Sequence, residues 1–72
     1  MKQSSINFEL TEAYIELIKL LKITQMAQSG GHAKFLVENG EIIRNGQIEL
    51  RKRAKIVKGD CIEFNEQKII VC

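Results

Sequence analysis

Between positions 14 and 21 the apolar residues follow a helical rhythm. Tyr14, Leu17, Ile18 and Leu21 stand at i, i+3, i+4 and i+7, with Ala13 and Leu20 on the flanks. Glu12, Glu16, Lys19 and Lys22 fall mostly off that stripe, as a solvated outer face. The spacing predicts an amphipathic helix that begins at Thr11 and Glu12, a capping hydroxyl and a first-turn acid, and ends near Lys22. A second, shorter helix is expected to start at Ser29, a good N-cap. It runs through Ala33, Leu36 and Val37 and stops at Asn39 and Gly40.

After Gly40 the period changes from helical to two. Residues 41–44, then Asn45-Gly46, then residues 47–50 read as a hairpin, because Asn-Gly supplies the positive φ angles of a two-residue type I′ turn. Further strands are expected at residues 56–57, 61–64 and 68–72, separated by turns at 58–60 and 65–67. Ile6 and Phe8 fit a short opening strand. Helices and strands are segregated along the chain. The expected class is therefore α+β, with two short helices packed on one face of a small, mostly antiparallel sheet of four to five strands.

Composition narrows this picture. Seventy-two residues suit one domain, expected to span positions 1–72. A hydrophobic fraction of 44% and a charged fraction of 28% describe an ordinary globule, not a disordered tail. No apolar run approaches the ~20 residues that span a bilayer, and the first residues hold no apolar signal core. A cytoplasmic protein with no membrane partner is expected. Cys61 and Cys72 lack a CxxC spacing, and His32 is the one histidine, so neither a disulfide framework nor a zinc site is indicated. Both thiols are expected to be reduced, half-buried and small.

Charge adds the most informative feature. From Arg44 to Lys58 the chain carries Arg44, Arg51, Lys52, Arg53, Lys55 and Lys58 against Glu49 alone, a local charge of +5 inside a chain of net +2. A basic segment beside an acidic remainder suits a polyanion binder. It also suits a charged edge strand that resists aggregation, and charge alone does not separate the two. If strand geometry continued past Leu50, then Arg51, Arg53 and Lys55 would share a face, with Ile48, Leu50, Ala54 and Ile56 opposite. Lys52 breaks that alternation, so the chain is expected to leave regular strand near residues 51–53.

The remaining motifs are weaker. Ser29-Gly30-Gly31 at a helix start offers free N–H groups to a phosphate, but it has no P-loop spacing and reads first as an ordinary capped helix. His32 has no nucleophile or carboxylate in its motif and reads as a surface residue. Phe35, about 100° off the Ala33–Val37 side, stacks on a base or packs against a loop. The acids are scattered singly and read as surface charges. No paired carboxylate, Cys/His pair or catalytic triad stands at a local spacing, which favours binding over catalysis.

In order, Ser29, Ala33, Leu36-Val37, Gly40, Ile42-Ile43, Asn45-Gly46, Ile48, the basic run 51–55, Val57, Gly59-Asp60 and Ile62 to Phe64 form a recognisable set. Residues 15–64 resemble the RNA-binding domain named after the fourth protein of the ribosomal small subunit, the αL motif. The SGGHAK and RKRAKI stretches look like its small stand-alone bacterial branch. The resemblance implies a non-catalytic, monomeric module that needs no cofactor and binds structured RNA, ribosomal or transfer, with the ribosome as a setting. It implies contacts from Ser29, Lys34, Arg44, Arg51, Lys52, Arg53 and Lys55. Many members carry Arg directly after the helix-two Ser. Here that residue is Gly30, which shifts the expected contact to Lys34 and the 51–55 run. A protein adaptor that docks an acidic partner, or a DNA-binding accessory factor, are the competing readings.

Overall fold

Ile62 and Ile69 face one another across the centre of the sheet, and both are fully buried. The elements around them, in a computed structural model that describes residues 4–72, follow the chain. Positions 1–3 of the expected domain lie outside the described residues. Strand β1 (Ser4–Phe8) is followed by β2 (Ile15–Glu16), helix α1 (Leu17–Ile23) and helix α2 (Gly30–Glu38). Then come β3 (Ile43–Arg44), β4 (Gln47–Ile48), β5 (Lys55–Ile56), β6 (Cys61–Phe64) and β7 (Gln67–Val71). Five strands form one sheet in the order β1-β7-β6-β3-β4, and β2 pairs separately with β5. All pairings are antiparallel except β1 with β7. The two helices pack on this mostly antiparallel sheet. The core joins Leu17, Leu20 and Leu21 of α1 with Ala33, Leu36 and Val37 of α2, and with Ile42, Ile56, Ile62, Ile69 and Val71.

Local chemistry accounts for α2 and the hairpins. Ser29 Oγ accepts the His32 N–H at 3.1 Å, and Gln28 N–H donates to His32 Nδ1 at 3.1 Å. Cap and third residue thus satisfy two backbone donors in a variant of the capping box, with His32 in the place usually taken by an acid and accepting from Gln28, one residue before the cap. At the other end Gly40 turns left-handed, with φ +75°. Its N–H bonds Val37 O and the Glu41 N–H bonds Leu36 O, a Schellman closure. Asn45 and Gly46, at φ +52° and +85°, make the type I′ turn that the sequence predicts.

Three expectations fail for tertiary reasons. Helix one does not start at Thr11. Ile15 and Glu16 are extended because they pair with Ile56 and Lys55, and the helix begins at Leu17. Tyr14 therefore leaves the apolar stripe and is 41% exposed. The alternation around the basic run inverts at its hairpin end, where Ile48 and Leu50 are exposed and Glu49 is buried, while Ala54 and Ile56 are buried as expected; Asp60, read as a surface charge, is buried too. The hairpin holds only two residue pairs, and ionic partners draw Glu49 inward. Finally, Cys61 is half-buried but Cys72 is exposed; both are free thiols.

Core burial sets the first expected outcome. Leu17→Ala removes a fully buried side chain, so urea unfolding should show a loss of about 2–5 kcal/mol. Ile23→Ala, at a position 52% exposed, should change stability far less.

Candidate nucleic-acid interface

The basic run folds as a turn that closes the start of α1. Ala54 N–H donates to Arg51 O at 3.2 Å, which bends the chain through Lys52 and Arg53. Two carbonyls of this segment then take up helix N–H groups: Leu17 N–H donates to Ala54 O at 3.0 Å and Ile18 N–H to Lys52 O at 3.3 Å. Residue 16, the N-cap of α1, contributes no side-chain bond, so backbone carbonyls do the capping. The departure from strand geometry expected near residues 51–53 is present.

Buried charge holds this turn from below. Arg44 donates to Glu49 Oε1 at 3.2 Å, to Asp60 Oδ2 at 2.8 Å and to the Lys55 carbonyl at 2.9 Å. Glu49 Oε2 also accepts the Arg51 N–H at 3.1 Å and Arg51 Nε at 3.0 Å. The bonds from the Arg51 guanidinium lead the other contributions. With its amide and Arg44 they overcome burial and hold the Glu49 carboxyl at about 2, below the usual 4.5. Burial alone pushes the Asp60 carboxyl up. The Val57 amide, Asn45 and Arg44 together outweigh it and keep that group below its ordinary value.

Above the turn lies a groove of about 590 Å³ between α1, the first turn of α2 and the basic segment. Lys19, Lys22, Lys34, Lys52 and Arg53 line it, together with Gly30. Two carboxylates stand at these cations. Lys52 Nζ lies 2.7 Å from Glu38 Oε2, and Arg53 Nε lies 3.7 Å from Glu16 Oε1. The Lys52 hydrogen bond, ahead of its charge, lowers the Glu38 carboxyl from its usual value. A Cβ on Gly30 would meet only Lys22 Cδ, at an ordinary 3.8 Å, so the groove has room for a side chain there.

Of the residues singled out in the sequence, Lys34, Lys52 and Arg53 meet in this groove. Arg51 and Lys55 line a neighbouring depression of about 470 Å³ with Arg44 and Arg53. The Arg44 guanidinium is committed to its two acids and a carbonyl, and Ser29 Oγ to the α2 cap. Phe35 is 58% exposed. The sequence does not single out Lys19 and Lys22, because their helical spacing reads as an outer face. Only the docking of the basic turn on α1 shows that this face borders the other cations.

A family model for the S4 domain matches residues 8–72, and the chain belongs to that family. The match extends past the 15–64 stretch on which the resemblance rests and takes in β7. Over 51 residues the chain is 39% identical to YbcJ of Escherichia coli (strain K12), covering 71% of this chain and 73% of that relative. YbcJ of Shigella flexneri matches with the same identity and coverage. The solution structure of the E. coli protein aligns with a TM-score of 0.69 at 35% identity, over 90% of this chain and 84% of that one. That structure is described as revealing an αL motif involved in RNA-binding. The two helices and sheet found here have the same architecture.

Glu49 makes the support of the turn acid-sensitive. Its folded-state value lies below the ordinary 4.5, so its stabilisation is fully present above pH 4.5 and is lost as pH falls toward about 2. Glu49→Gln should destabilise the protein at pH 7, and the gap to the parent should shrink as pH is lowered through that window. Thermal unfolding followed by circular dichroism across pH 2–7 checks this.

Proposed function

We propose that this protein is a non-catalytic module that binds structured RNA, ribosomal or transfer, in the cytoplasm. The observation that carries this reading is the convergence of Lys19, Lys22, Lys34, Lys52 and Arg53, from three separate segments, on one groove. Family membership and the RNA-binding description of the YbcJ structure support it. The groove runs past the start of α2, where the Gly30 and Gly31 N–H groups add partial positive charge. Arg51 and Lys55 extend the cationic surface around the turn. Arg44 and Ser29 serve as supports: Arg44 fixes the turn from beneath, and Ser29 fixes the first turn of α2. Backbone phosphates occupy the cations, and duplex shape supplies most of the selectivity.

Fluorescence anisotropy with a tRNA or a ribosomal RNA hairpin tests the proposal. If each groove cation takes one phosphate, log K against log salt should fall with a slope of about −4. Affinity that is flat from low to physiological salt overturns the phosphate-dominated mechanism. Tight binding to an acidic protein, with none to RNA, replaces it with the adaptor.

Two substitutions probe the groove from opposite sides. Lys34→Gln with Arg53→Gln should leave the fold intact, weaken binding, and make the slope shallower by about two units. Gly30→Arg should be accommodated, strengthen binding, and steepen the slope by about one unit.

A further inference from the structure

Tyr14 is not among the side chains packed against the hydrophobic core. It lies outside the apolar stripe of α1, is 41% exposed, and has the Lys55 ammonium 5.2 Å from its ring centroid. That cation–π contact holds the ring beside the basic turn. Next to it is a depression of about 380 Å³, lined by Tyr14 with Glu12, Glu16 and Lys19. Glu16 and Lys19 also line the cationic groove, so the two concavities share a wall. A track for phosphates alone has no use for an aromatic ring and an extra carboxylate at its edge. A nucleotide has use for both, since its phosphate and its base leave the sugar in different directions.

We propose that the Tyr14 depression is a subsite for one unpaired base of the bound RNA, and that guanine is preferred. The inference rests on the RNA-binding reading and adds to it a place where base identity is read. The ring supplies a stacking surface. Glu12 and Glu16 carry carboxylates, which only accept hydrogen bonds when ionised. Guanine offers them adjacent N–H donors, N1–H and N2–H₂, in a pattern that one carboxylate can take bidentately. Uracil offers one N–H between two carbonyl oxygens, which a carboxylate repels. Glu12 has no ion pair among the described residues, so it is free to accept.

The chain has one tyrosine and no tryptophan, so intrinsic tyrosine emission reports on Tyr14 alone. Three probes are titrated: a labelled RNA stem–loop with a single unpaired guanine beside the stem, the same RNA with uracil there, and heparin. The guanine RNA should quench the emission and bind more tightly than the uracil form, while heparin should bind without quenching. Tyr14→Leu should weaken the guanine RNA about tenfold and change heparin affinity by less than twofold. Glu12→Gln should narrow the guanine preference, with folding verified by circular dichroism. RNA bound without quenching, or bound equally well by Tyr14→Leu, overturns the subsite and leaves the RNA reading standing. Heparin bound with no affinity for either RNA overturns both.

Discussion

One guanidinium ties together the three segments around the basic turn. Arg44 reaches Glu49 after the hairpin, the Lys55 carbonyl within β5, and Asp60 at the entrance to β6. A planar fork reaches these three acceptors from two separate nitrogens; a lysine at the same place would be a single point charge. The network widens from there. Asp60 accepts from the Val57 N–H and from Asn45, and Asn45 accepts from the Cys61 N–H. A chain this short has little apolar surface to bury at its periphery, and polar closure does the work there. Among the described residues no buried side-chain polar atom lacks a partner. The turn is thus shaped before any ligand arrives, so binding need not spend free energy on ordering it.

The surface above this network is not simply positive. Glu16 and Glu38 stand against Arg53 and Lys52. A polyanion must replace these carboxylates, or sit between them, to gain its contacts. For the RNA partner proposed above, loose electrostatic attraction is therefore blunted, and phosphates that match the spacing of the groove lysines are favoured over charge alone.

What was legible in the sequence is what short-range chemistry decides. Ser29, Gly40 and Asn45-Gly46 each act within a few residues, and α2 and its hairpin follow from them. The basic turn was readable as a break because Lys52 spoils the alternation. The start of α1 was not, since Thr11 and Glu12 make a plausible local cap and the real one comes from Lys52 and Ala54, far along the chain. Burial of Glu49 and Asp60 was hidden for the same reason: an acid is drawn inside only by partners whose proximity the fold creates. Lys19 and Lys22 belong to the candidate site only through the packing of the turn beside α1, which no local spacing reveals. The family resemblance reached the motif but not these juxtapositions.

The parallel pairing of β1 with β7 brings together opposite ends of the described chain: Ser4 faces Gln67 and Phe8 faces Val71. Closing so long a loop costs chain entropy that no neighbouring contact repays in advance. The caps of α2, the hairpin and the bend within the basic turn, by contrast, are stitched by contacts close in sequence. Assembly should therefore begin in the middle of the molecule and finish at the sheet edge. In native-state hydrogen exchange, β1 should open at lower free energy than β6, and the cationic groove should persist through that fraying.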